Sequence, residues 1–170
     1  MAADDRSGAT GEWVGVLGFS QGAKLCASLL YTQQYCRERL DKEPPIQSNF
    51  RFGVLLAGQN PLLWLDSDAN APPGLASDAT LDASSKAEAH AMPLENRLRI
   101  PTLHVHGLRD PGLTTHRELL KRSCDSKTTQ VLEWDGAHSV PLRTADVRLL
   151  TEAIVSLAEK TGCLMAQAKR

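Results

Sequence analysis

Apolar positions along the chain fall into short dense runs separated by polar stretches. "WVGVLGF", Trp13 to Phe19, is nearly continuous, interrupted only by Gly15 and Gly18. Apolar residues on consecutive rather than alternate positions describe a strand buried on both faces, as in a parallel sheet. "FRFGVLLAG" (Phe50–Gly58) is again apolar on both faces, and "IPTLHVHG" (Ile100–Gly107), ending in glycine, and "TTQVLEW" (Thr128–Trp134) read as a third and a fourth strand. Helix-compatible segments lie between them. The first runs from Gln21 to about Arg39, with Ala23, Leu25, Cys26, Ala27, Leu29 and Leu30, and Pro44 and Pro45 lie beyond its end. "GLTTHRELLKRSC" predicts a second helix with Thr114 or Thr115 near its start. "RTADVRLLTEAIVSLAEKTG" predicts a last, amphipathic helix with Val147, Leu150, Ile154 and Leu157 on one stripe, closed by Gly162. Strands alternating with helices imply an α/β fold, a mostly parallel sheet with flanking helices and right-handed crossovers.

One segment breaks the alternation. Gln59 to Arg99 is long and irregular, with "APPGLASDATLDASS" inside it, and reads as a lid-like or disordered insertion. Its start, "NPLLWL", is apolar enough for Leu62, Leu63 and Trp64 to contact a substrate, and equally suits a buried loop anchor. Residues 161–170 read as a loosely held tail, and the chain as a single domain.

Composition narrows the function. The chain has 170 residues, 42% of them hydrophobic, and a net charge of −1. That suits one domain with a substantial core and gives no basic patch for nucleic acid. No apolar run spans a membrane, and "MAADDRSGATGE" lacks the features of a secretion signal, so a cytoplasmic protein is expected. Cys26, Cys36, Cys124 and Cys163 form no C-x-x-C pair, so neither a metal site nor a disulfide framework is expected, and Cys26 reads as packing. G-x-x-x-x-G-K is absent, and with it the phosphoryl-transfer reading.

The candidate chemistry lies where the first strand meets the first helix. "GFSQG" places Ser20 between Gly18 and Gly22 at that junction. This is the G-x-S-x-G nucleophile elbow in its expected context, strand before and helix after. The turn requires a strained serine and leaves no room for side chains two residues to either side, a need Gly18 and Gly22 meet. The helix N-terminus directs its amides at the reacting centre, and the Gln21 N–H is the expected first oxyanion donor. A serine nucleophile needs an acid and then a histidine downstream. In parallel sheets the site lies at the carboxyl ends of the strands. Asp110, in "HGLRDPG", follows the third strand, and His138, in "WDGAHSVP", follows the fourth. His138 would take the Ser20 proton and return it to the leaving group, while Asp110 orients the imidazole. Asp110 before Pro111 and Gly112 also suits a turn, and both roles are compatible. Asp135 is the rival acid, three residues from His138 and badly placed to reach its far nitrogen. His104 and His106 share one face of a central strand and read as core or supporting residues. His90 lies in the irregular segment, and His116, in the first turn of its helix, reads as exposed.

"GVLGFSQGAKLCASLL", "FRFGVLLAG", "IPTLHVHGLRD" and "VLEWDGAHSVP" resemble the fungal serine hydrolase family. That family comprises small α/β-hydrolases that act beside polyketide synthases, such as the lovastatin-type releasing thioesterases and the hydrolases of citrinin-type pathways. The resemblance covers about Trp13 to Leu157, apart from Gln59–Arg99. It implies Ser20 as nucleophile, Asp110 as acid and His138 as base, no cofactor, and an acyl ester or thioester substrate carried on a polyketide synthase carrier domain. Family members begin with a further strand and an "LHG"-like loop that supplies a second oxyanion donor. Neither is found ahead of Trp13, so an N-terminally truncated, partial α/β-hydrolase domain is expected. Two alternatives follow: a catalytically impaired fold remnant that binds an acyl product or a partner, and a general carboxylesterase.

Overall fold

The computed structural model describes residues 6–8, 11–46, 48–73, 75 and 92–164. Residues 74 and 76–91 of the irregular insertion, His90 among them, and the last six residues of the tail fall outside them.

The chain forms β1 (Gly15–Phe19), α1 (Gln21–Arg39), β2 (Phe52–Leu56), a 3₁₀ turn (Leu94–Asn96), β3 (Thr102–Gly107), α2 (Leu113–Ser123), β4 (Thr129–Trp134) and α3 (Thr144–Lys160). The strands make one four-stranded sheet in the order β1-β2-β3-β4. All three pairings are parallel, with Gly15 opposite Phe52, Gly53 opposite Thr102 and Thr102 opposite Thr129. Each sequence-predicted strand and helix is therefore present, with its ends moved by no more than two residues.

The two inner strands are buried along their whole length, β2 as an unbroken apolar run and β3 with Leu103 and Val105 on one face and Thr102, His104 and His106 on the other. Helices cover both faces of the sheet. On one, Ala23, Ala27, Leu30 and Tyr31 of α1 and Leu119 of α2 pack with Leu55. On the other, Leu150, Leu157 and Ala158 of α3 pack with Val54, Leu56, Leu103 and Val105. Gly162 ends α3 in the left-handed region, at φ 70°, where glycine carries no steric penalty.

Two adjacent glutamines of α1 fix where the inner strands begin. Gln33 Nε2 donates to the Phe50 carbonyl at 2.9 Å, and its Oε1 accepts from the Phe50 N–H at 3.0 Å. Gln34 Nε2 donates to the Arg97 carbonyl, and its Oε1 accepts the Arg99 N–H at 2.7 Å. Buried amides that bond backbone in this way satisfy groups that would otherwise be stranded.

Leu62, Leu63 and Trp64 are 1, 3 and 7% exposed. The Leu63 N–H donates to Ser28 Oγ, and Trp64 Nε1 donates to the Ala69 carbonyl. They anchor the start of the irregular segment on α1. Asp66, also buried, pairs with Lys42 at 2.6 Å and completes that anchor. The four cysteines are free. Among the described residues no helix is long and apolar enough to cross a membrane.

Candidate active site

Every strand of the sheet ends on the same edge, and the loops there bring Ser20, Asp110 and His138 together. Ser20 directly follows β1 and precedes α1, with φ 55° and ψ −117°. Such a conformation costs a non-glycine residue roughly 1–3 kcal/mol and persists only where the surroundings impose it. Here the Ser20 N–H donates to the Leu56 carbonyl at 2.8 Å, locking the turn to β2. Gly18 allows the close approach: a Cβ there would meet the Gly22 backbone at 2.4 Å. Gly22 is different. A Cβ on Gly22 would meet nothing within 4 Å, so the expectation that both glycines are sterically required holds only for Gly18. The first turn of α1 leaves its N–H groups without helical acceptors, Gln21 first among them.

The loops after β3 and β4 are stapled to each other. The Leu108 N–H donates to Trp134 O and the Arg109 N–H to Gly136 O. Asp110 forms its own turn, with Oδ1 accepting the Gly112 N–H at 2.8 Å. Its Oδ2 lies 2.7 Å from His138 Nδ1, and His138 Nε2 lies 2.9 Å from Ser20 Oγ. The three side chains form one hydrogen-bonded line. Asp110 stands at the imidazole; Asp135 instead pairs with Arg109 at 2.9 Å on the surface. The His138 side chain is 40% exposed and packs its ring against Phe19 at 4.9 Å, whereas Asp110 is buried. Burial pushes the Asp110 carboxyl upward. The Gly112 N–H, His138 and His116 outweigh it and hold the group below the ordinary aspartate value.

His116 departs from its sequence reading. It is fully buried, not exposed. Its Nδ1 lies 3.0 Å from the Gly58 carbonyl and its Nε2 3.0 Å from Asp110 Oδ2. A signal for this exists in the sequence: His116, Leu119 and Ser123 are the buried residues of α2, at the i, i+3, i+7 spacing of a helix's inner stripe. His104 and His106 are both 1% exposed, as their strand positions require. Burial lowers them to about 3 and about 4, with the neighbouring imidazoles contributing further, so both are neutral at neutral pH.

Asp110, His116 and His138 each offer one ligand atom within 4.8 Å of the others, a grouping of potential metal ligands. The 2.7 Å separation of Nδ1 and Oδ2 is that of a charge-assisted hydrogen bond, and a proton between them accounts for it without an ion.

A parallel sheet flanked by helices, a serine on a strained strand-to-helix turn, and an acid and a histidine following in that order define the α/β-hydrolase class. Residues 4–148 match the serine hydrolase (FSH1) family, and the chain belongs to it. It is 47% identical over 170 residues to esterase dbaE of Emericella nidulans, covering 96% of this chain and 61% of that protein. It is 48% identical over 174 residues to esterase pigG of Monascus ruber, with the same two coverages of 96% and 61%. The chain thus spans about three-fifths of the length of these curated relatives. The crystal structure of Zea mays acyl-protein thioesterase 2 overlays with a TM-score of 0.47 at 18% identity, covering 91% of this chain and 61% of that one.

Proposed function

We propose that this chain hydrolyses ester or thioester bonds through an acyl-enzyme on Ser20. The observation that carries the reading is the unbroken line from Ser20 Oγ through His138 to Asp110, with contacts of 2.9 and 2.7 Å. Ser20 Oγ attacks the acyl carbonyl while His138 Nε2 takes its proton. The positive charge that develops on the imidazole faces Asp110, which also fixes the Nδ1–H tautomer. The Gln21 N–H holds the oxyanion of the tetrahedral intermediate. His138 then returns the proton to the departing alcohol or thiol. In the second half, water attacks the acyl-Ser20 carbonyl, again with His138 as base, and the acid leaves.

The acyl donor in this reading is a polyketide chain on a carrier-protein thioester. Its support is the sequence resemblance to polyketide-releasing hydrolases and the esterase names of the relatives. A cytoplasmic setting fits the same reading.

Fluorophosphonate treatment followed by intact-mass measurement tests the nucleophile. One adduct is expected, and none in Ser20→Ala. Labelling that persists in the variant refutes the assignment. Comparing an acyl-thioester with a short p-nitrophenyl ester then tests the substrate class. A kcat/KM that favours the small ester would identify a general carboxylesterase instead.

A further inference from the structure

The scheme above uses one of the two imidazoles that converge on Asp110 Oδ2. The other belongs to His116, which reaches the same oxygen from α2. The Gly58 carbonyl can only accept, so the hydrogen of its contact with His116 sits on Nδ1. Nε2, 3.0 Å from Asp110 Oδ2, lies out of line for a regular hydrogen bond; with Nδ1 already carrying a hydrogen, it attracts the carboxylate as an ion pair, in the doubly protonated imidazole.

The consequence for Asp110 is geometric. His138 Nδ1 holds Oδ2, but His138 is itself the group to be oriented; without it the carboxylate is held at one oxygen and still turns about its Cβ–Cγ bond. Gly112 fixes Oδ1. His116, from α2, stands at Oδ2 together with His138. The ring of His116 is enclosed: it has no exposed surface, and it lies 6.0 Å from His138 and 6.2 Å from His106 between ring centroids. A leucine would fill this place on the inner stripe of α2 without burying two polar nitrogens. An oxygen stands opposite each nitrogen, the Gly58 carbonyl as acceptor at Nδ1 and the Asp110 carboxylate as charge partner at Nε2.

Resting on the Ser20–His138–Asp110 reading, we propose that His116 is a positioning residue: it clamps the Asp110 carboxylate toward His138 and, through Gly58, ties the end of β2 into the line supplied by β1, β3 and β4. All four strand ends then meet in one connected set of contacts.

Two substitutions separate the contacts. The amide nitrogen of His116→Asn matches Nδ1, keeps the Gly58 contact and vacates Oδ2. The amide of His116→Gln extends to the place of Nε2 and offers an N–H to Asp110. The measurements are kcat and KM on a p-nitrophenyl ester, the rate at which fluorophosphonate labels Ser20, and the low-field proton resonance of the His138 Nδ1–H. His116→Asn is expected to lower kcat and the labelling rate by roughly 10- to 100-fold, the effect of a small misplacement of a catalytic group. KM stays within about twofold, and the low-field resonance broadens or moves. His116→Gln restores most of the rate and the resonance. Wild-type kcat and resonance in His116→Asn would overturn the proposal, as would equal losses in both variants alongside equal drops in melting temperature. If His116→Asn does not fold, His116→Gln decides alone: kcat within about threefold of wild type with the resonance kept supports the clamp, and loss of both overturns it. Ser20→Ala and Asp110→Asn are run beside them. Labelling that survives those two refutes the underlying triad, whereas their failure with His116→Asn intact refutes the clamp only.

Discussion

The acid end and the nucleophile end of the Ser20–His138–Asp110 line are held in place by different means. Asp110 is buried, both of its oxygens are engaged, and the loop that carries it is stapled to the loop of His138. Ser20 is half-buried and follows β1, which pairs on one side only among the described residues and leaves Leu17 58% exposed. No second side chain besides His138 grips its hydroxyl among the described hydrogen bonds. Its place comes from the backbone: a strained φ, an N–H bonded to Leu56, and Gly18 pressed against Gly22. Side-chain contacts can be weakened one at a time. A backbone turn of this kind either forms or does not.

The largest effect is expected at the acid. Asp110→Asn keeps the shape of the side chain but removes the charge and lets an amide face His138 Nδ1, which favours the wrong imidazole tautomer. In serine hydrolases that change lowers kcat by about 10⁴, or roughly 5.5 kcal/mol of barrier. Steady-state kinetics together with circular dichroism check it. A loss under tenfold in a folded variant would mean that Asp110 does not serve His138.

The nucleophile end should respond to Gly18→Ala. The added methyl would stand 2.4 Å from backbone atoms of Gly22 and 2.6 Å from the Ala23 nitrogen, and backbone cannot swing aside as a side chain can. A cost of about 3 kcal/mol or more is expected, at the upper end for overpacking. The start of α1 would have to shift, taking Ser20 with it. Chemical denaturation and the rate of fluorophosphonate labelling should fall together. Unchanged labelling in a stable variant would show that the elbow tolerates what its geometry forbids.

The two ends also differ in their response to pH. β3, whose trailing loop carries Asp110, holds His104 and His106, buried and neutral, while β1 carries no histidine. Their folded values, about 3 and about 4, lie below the unfolded value of 6.5. The unfolded chain therefore binds more protons as pH falls through 6.5, and stability is lost toward acid. The two residues together should remove about 2 kcal/mol between pH 6.5 and 5.5. Urea midpoints measured across that interval check this, with His104→Gln and His106→Gln each flattening the slope. A flat midpoint from pH 7 to 5 would contradict the burial of these rings as neutral species.

What could be read from the sequence follows the same division. β2 was legible because a parallel sheet buries both faces and its residues, FGVLL, are consecutively apolar; β3, TLHVHG, was legible from Leu103 and Val105 and its closing glycine, although its other face carries Thr102, His104 and His106. The elbow was legible because strand, Gly18, Ser20 and helix stand in one short stretch. The convergence of Ser20, Asp110 and His138 follows from topology, since parallel strands deliver their trailing loops to one edge. His116 was not read as buried, although it shares the i, i+3, i+7 stripe with Leu119 and Ser123: with one apolar residue among the three, that stripe is a weak signal in a short helix. Gln33 and Gln34 escaped notice for a related reason. Their partners, the backbone at Phe50, Arg97 and Arg99, lie 17 to 65 residues away, and nothing local distinguishes a buried amide from a solvated one. Leu62, Leu63 and Trp64 suited two roles by composition, and only packing shows that they are buried against α1.

The smallest expected effect sharpens the elbow itself. The G-x-S-x-G pattern presents its two glycines as equals, yet they face opposite environments. A Cβ on Gly18 collides with backbone, while a Cβ on Gly22 points into open space. Gly22 lies in the first turn of α1 and is not among the residues with positive φ. Alanine fits that backbone, and replacing glycine there reduces the entropy of the unfolded chain. A gain of roughly 0.4–1 kcal/mol is expected, which for a domain of this size raises the melting temperature by about 1–4 °C. The fluorophosphonate labelling rate should stay near wild type, because neither Ser20 nor the Gln21 N–H has to move. A small rise in melting temperature with unchanged labelling, set against the collapse in Gly18→Ala, would establish that only the first glycine is required by the turn. If Gly22→Ala labels normally but loses activity on long acyl substrates, the open space beside Gly22 is where the acyl chain lies, and the second glycine serves the substrate rather than the fold.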